Sequence, residues 1–134
     1  AQAKAIRYFS GTATYHNTFT VASTDTHCRV MLDMGTVNYI ADVSVNGIHC
    51  GLSWTPPHSI DITDMVQTGI NSLEIKITNP WKNRLCGDKL AGKEETKYTW
   101  TSYPWSKKTK NNLMPAGLLG PVTIITTTGH QTAQ

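Results

Sequence analysis

The chain has 134 residues, 39% hydrophobic and 16% charged; this fits one compact domain that needs no metal or disulfide staple, and no run of about 18 apolar residues is there to cross a bilayer. Its formal net charge of +3 is uneven: residues 1–81 carry four basic against six acidic side chains, residues 82–134 eight against three. The late cluster of Lys107, Lys108 and Lys110 has no helix-turn-helix, finger or RNP pattern beside it, so a solvated loop is expected and nucleic acid is not.

The opening AQAKAIRYF has no apolar h-region or cleavage-site pattern, so no signal peptide is expected there. Residues 8–20 alternate, with Phe9, Gly11, Ala13 and Tyr15 on one face and Ser10, Thr12, Thr14 and His16 on the other, which predicts a half-buried strand. After a polar turn, Val30, Leu32 and Met34 alternate with Met31 and Asp33 in a second strand closed by Gly35. Val43 and Val45 then lead into Asn46-Gly47, the pair best suited to the positive φ at both centres of a type I′ hairpin. Ile48, Cys50 and Leu52 continue the pattern on the return strand. Pro56 and Pro57 cannot donate to a ladder, so Trp54 to Pro57 reads as an edge or a corner.

Ser59 to Ile62 predicts a short strand and residues 62–66 one helical turn capped by Thr63 or Asp64. Gly69 stops that turn. Along residues 71–78, Leu73, Ile75 and Ile77 point inward, and Glu74, Lys76 and Thr78 outward. From Asn79 to Gly120 regularity gives way to a long loop rich in Trp, Lys, Asn and Pro, with no helix longer than about two turns. Pro121 to Thr127 returns to a strand in which Val122 and Ile124 complete the core, and a polar tail ends the chain. Short strands separated by turn signals predict an all-β antiparallel sandwich occupying residues 1–134 as one domain.

Cys28, Cys50 and Cys86 are an odd set without a C-x-x-C, so at most one disulfide forms and its pairing is open. His27-Cys28 and His49-Cys50 are adjacent pairs whose members point to opposite faces of a strand, which argues against zinc.

The run Val43-x-Val45-Asn46-Gly47, Gly51, Trp54, Pro56-Pro57, then Ile60 to Thr63, then Gly69-x-Asn71-x-Leu73-x-Ile75, resembles the galactose-binding-like jelly roll of family 2 glycoside hydrolases. Asn79-Pro80-Trp81-x-Asn83-Arg84-Leu85-x-Gly87-Asp88, with residues 100–103 and 115–122, resembles the C-terminal module of family 106 α-L-rhamnosidases. The resemblance implies a secreted or periplasmic bacterial glycoside hydrolase of which this chain is a non-catalytic accessory module and a monomer. The barrel bearing a catalytic carboxylate pair is absent from these residues, and Asp88, Glu94 and Glu95 place no such pair across a sugar ring.

Sugar recognition needs flat aromatic faces and planar polar groups. Trp54, Trp81, Trp100, Tyr103 and Trp105 are the candidate aromatics and Asn79, Asn83, Arg84 and Asp88 the candidate hydrogen-bonding groups, with plant cell-wall polysaccharide or oligosaccharide as the implied ligand. Trp54 equally fits a corner plug in the core. Trp81 and Arg84 equally fit packing of the long loop, or docking on a catalytic domain without sugar binding. No cofactor is expected; the resemblance admits a structural calcium, for which Asp25, Asp33, Asp61 and Asp64 offer carboxylates without a clustered spacing.

Overall fold

The structure is a computed structural model that describes residues 2–24, 28–91, 97–99 and 113–128. The chain divides into two compact units, one formed by Thr12–Thr78 with Ala116–Gln134, the other by Ala1–Gly11 with Asn79–Pro115.

The first unit is a β-sandwich of antiparallel strands. β1 (Thr12–Val21), β7 (Gly69–Thr78), β4 (Ile40–Val45) and β5 (Ile48–Ser53) form one sheet in the order β1-β7-β4-β5. β6 (Ser59–Asp61), β2 (Cys28–Asp33) and β9 (Thr123–Thr128) form a second in the order β6-β2-β9, and β3 (Thr36–Asn38) pairs with β8 (Gly117–Gly120). Alternation decides which side chains meet. Ala41, Val43 and Val45 stand opposite Ile77, Ile75 and Leu73 across β4 and β7, and all six are buried. Val30, Leu32 and Met34, with Ile62, join the same core cluster. Burying each such side chain contributes about 1.5–3 kcal/mol, which makes this periodic set the main stabilising feature of the sandwich.

Asn46 and Gly47 both take positive φ, 52° and 78°, as the hairpin requires. Asn46 does more than turn the chain: its Nδ2 donates to Met65 O at 2.9 Å and Asn71 Oδ1 at 2.8 Å, and its Oδ1 accepts from Ser72 N at 3.0 Å. Asn71, fully buried, donates to Gln67 O and Gly69 O and accepts from Gln67 N. This closed polar network ties the hairpin to the turn before β7.

Five expectations are corrected. The first strand begins at Thr12, after Gly11 at φ 145°, and as an edge strand it leaves Tyr15 40% exposed; Phe9 and Gly11 are outside it. In β5 the register shifts, with Val43 opposite Gly51 and Ser44 opposite His49, so Cys50 is an extra residue that still packs against the core, while Ile48, 53% exposed, and Leu52 do not. Leu52 consequently lies opposite Asp42 and is 65% exposed. The helical turn is a 3-10 turn, Thr63–Met65, with no side-chain cap on its own first residue. Asp61 instead accepts from Thr63 N at 3.0 Å and from its hydroxyl at 2.6 Å. Val122 precedes β9 and is 39% exposed, leaving Ile124 to pack on the core. Finally, the expected loop of residues 79–120 contains the helix α2 (Lys82–Leu90) and strand β8.

The second unit holds α1 (Gln2–Arg7) and α2. Hydrophobic periodicity misses α2 because much of the face it buries is polar: Asn83, Cys86, Gly87 and Asp88.

Candidate functional site

α2 starts without a side-chain cap from its own N-terminal residue, Trp81. Ser10 supplies one from a distance, its Oγ accepting from Arg84 N at 3.1 Å and donating to Pro80 O at 2.9 Å. Gly87 is required by close approach, since a Cβ there would lie 2.7 Å from Cβ and Cγ of Tyr8 and 2.8 Å from Arg84 Nη2.

The polar residues of α2 hold the chain that follows it. Asn83 donates to Met114 O at 2.9 Å and accepts from Met114 N at 2.8 Å. Asp88, one turn below Arg84, forms an ion pair with its Nη2 at 2.7 Å. Asp88 Oδ2 accepts from Tyr98 N at 3.0 Å, Thr99 N at 2.6 Å and the Thr99 hydroxyl. Burial alone would raise the Asp88 pKa, but the Thr99 hydroxyl and amide, the Arg84 charge and the Tyr98 amide together hold it below the ordinary carboxylate value. The Arg84 guanidinium stacks 5.0 Å from the Tyr98 ring centre. The contact between Arg84 and Asp88 Oδ1 is an ion pair without hydrogen-bond alignment, and Arg84 Nε and Asn79 Oδ1 are buried without partners.

Arg84 and Asn83 are therefore engaged in holding the chain, and Arg84 keeps only 21% side-chain exposure. Trp81, by contrast, is 73% exposed. Trp100, Tyr103 and Trp105 lie outside the described residues. In the sandwich unit, Trp54 is 76% exposed just beyond β5, so it is no core plug.

Sequence reasoning missed a second feature, a hollow of about 470 Å³ in the sandwich unit lined by Asp33, Thr36, Asn38, Pro56, Pro57 and His58, among others. Gly35 shapes it: at φ 60° it bridges to Gly120, and a Cβ would lie 2.6 Å from Gly120 C and O. Asp33 Oδ1 accepts from Gly35 N at 2.9 Å. His58 is 6% exposed; its carbonyl accepts from Met34 N at 2.9 Å and its Nδ1 pairs with Ser53 Oγ at 2.8 Å. Among the described residues no hydrogen bond engages its Nε2. The sequence signal for it is the Pro56-Pro57 corner, which by itself speaks only to the fold.

No group of three or more His, Cys, Asp or Glu side chains converges on a metal position among the described residues. Asp61 is held by Arg29 Nε at 2.8 Å and by Thr63, and Asp25, another candidate for the calcium that the resemblance admits, lies outside the described residues.

A family model described as "Glycosyl hydrolase 2 galactose-binding domain-like" matches residues 2–119. The chain belongs to this family. A galactose-binding-like domain of this kind is not a catalytic domain. It is 38% identical to a Formosa agariphila protein named "Putative beta-glucuronidase", over 89% of this chain and 12% of that protein. The solved structure of a rhamnosidase from Novosphingobium sp. PP1Y superposes with a TM-score of 0.83 at 40% identity, over 92% of this chain and 12% of the other. A beta-glucuronidase from an uncultured Clostridium sp. gives a TM-score of 0.51 at 26% identity over 56% of this chain and 14% of its own. The galactose-binding-like domain thus agrees with both halves of the motif resemblance, and it spans about an eighth of the length of these relatives.

Proposed function

We propose that this domain is a non-catalytic carbohydrate-binding module of a larger glycoside hydrolase that degrades plant polysaccharide. The match to a galactose-binding-like family over residues 2–119 carries the reading. Two tryptophans held 76% and 73% exposed support it, since a flat apolar face left in water is what a sugar ring stacks on. A polymeric substrate goes with a secreted or periplasmic parent enzyme. Affinity electrophoresis of the 134-residue chain through gels containing pectic or hemicellulosic polysaccharide tests the proposal: retardation is expected, and free migration of the folded chain on every glycan would overturn it.

A second reading is favoured by the helical unit, where Ile6, Trp81 and Tyr98 are each more than 70% exposed and Leu90 is 45% exposed. Apolar exposure of that kind suits docking on the catalytic domain of a parent enzyme related to the rhamnosidases. Trp81→Ala in the full-length enzyme would then lower its unfolding temperature and leave glycan retardation unchanged.

A further inference from the structure

We infer that the hollow beside Pro56-Pro57 is a subsite for a neutral pyranose and excludes uronic acids; this rests on the carbohydrate-binding reading and gives it a place and a ligand class. At about 470 Å³ the hollow falls within the roughly 300–1,000 Å³ of small-ligand sites and admits one sugar ring with room to spare. Pro56 and Pro57 offer apolar ring faces. Thr36 and Asn38 carry a hydroxyl and an amide for which no hydrogen bond exists among the described residues. His58 contributes the most telling group. The residue lines the hollow and is more than nine-tenths buried, its ring is fixed at Nδ1 by Ser53 and its backbone carbonyl by Met34 N, and among the described residues no hydrogen bond engages Nε2. A buried imidazole held so firmly at one nitrogen is prepared to exchange a hydrogen bond with a ligand hydroxyl at the other.

The charge of the lining sets the ligand class. Asp33 is its acidic member, and neither Lys nor Arg is present. A vicinal pair of sugar hydroxyls can donate to the free Asp33 oxygen and accept from Asn38. A uronate carboxylate would instead face Asp33 with no cation to offset it, a repulsion that at close range costs about tenfold or more in affinity.

The test is a titration of the 15N-labelled 134-residue chain with methyl β-D-galactoside, methyl α-L-rhamnoside and glucuronate, repeated on Asp33→Asn, Asn38→Ala and Ile70→Ala. Asp33→Asn keeps an oxygen to accept from Gly35 N, so the turn survives while the charge is removed. The expected result is that a neutral glycoside shifts the His58 and Asn38 signals and glucuronate does not. Asn38→Ala weakens the neutral sugar about tenfold, Asp33→Asn admits glucuronate, and Ile70→Ala, an exposed position away from the lining, changes neither. Glucuronate binding the unaltered hollow as tightly as the neutral sugars, or unchanged selectivity in Asp33→Asn, would overturn the inference. Shifts confined to Trp81 or Trp54 would remove the hollow and leave the carbohydrate reading standing. Silence throughout with every ligand would remove both.

Discussion

Replacing Asp88 by alanine tests how the second unit is held together. The carboxylate is 5% exposed and engages Arg84, Tyr98 N, Thr99 N and the Thr99 hydroxyl at once. Its removal strands a guanidinium that has only 21% side-chain exposure and whose Nε already lacks a partner, along with two amides. Breaking a buried pair from one side costs about 3–5 kcal/mol. The residual exposure of Arg84 and its stacking on Tyr98 favour the lower end, about 3 kcal/mol. Urea unfolding of Asp88→Ala, with hydrogen exchange at Tyr98 and Thr99, measures it: lost protection at those amides accompanies the destabilisation. Asp88→Asn, which keeps an acceptor but no charge, loses about half as much. A loss under about 0.5 kcal/mol for the alanine variant, with both amides still protected, would refute the reasoning.

The same carboxylate gives a pH dependence. Because folding lowers its pKa, its contribution is present above the unfolded value near 3.8 and is lost as pH falls through the lower folded value, so Tyr98 and Thr99 protection declines below about pH 4. Asp61, held down to about 2 first by the Thr63 hydroxyl and then by its amide and Arg29, retains its charge further into acid, and an NMR pH titration separates the two. Asn71→Leu keeps the count and branching of side-chain heavy atoms but breaks the network with Asn46 and Gln67, at a cost of about 3 kcal/mol in denaturant unfolding. Gly87→Ala drives a methyl against Tyr8 and costs about 1–3 kcal/mol, whereas Ser10→Ala removes the distant cap of α2 and costs about 1 kcal/mol; thermal unfolding ranks them.

Where apolar side chains face one sheet surface, the sequence was a reliable guide: Val30-Leu32-Met34 and Leu73-Ile75-Ile77 alternate because a strand alternates, and Asn46-Gly47 turns because few pairs tolerate that backbone. Periodicity failed where the backbone departs from period two or where polar atoms are what is buried. The extra residue Cys50 cannot be read without the partner strand. In α2, Asn83 and Asp88 are buried because chain distant in sequence supplies their hydrogen bonds, which leaves no hydrophobic stripe to detect. The candidate site divides in the same way. Exposed Trp81 and Trp54 were legible as residue types, whereas the hollow depends on Gly35 meeting Gly120 and on His58 meeting Ser53, contacts that no local pattern announces. Asn83 and Arg84 carry the planar polar groups that sugar recognition needs, and the structure engages those same groups in holding Met114, Tyr98 and Asp88.

Isothermal titration of the folded 134-residue chain with neutral oligosaccharides released from pectic and hemicellulosic polysaccharide bears most directly on the carbohydrate-binding claim. Saturable heat with at least one of them, diminished in Trp81→Ala, Trp54→Ala or Asn38→Ala, is the predicted result. No saturable heat with any of them at millimolar ligand, from a chain whose circular dichroism shows it folded, would contradict it.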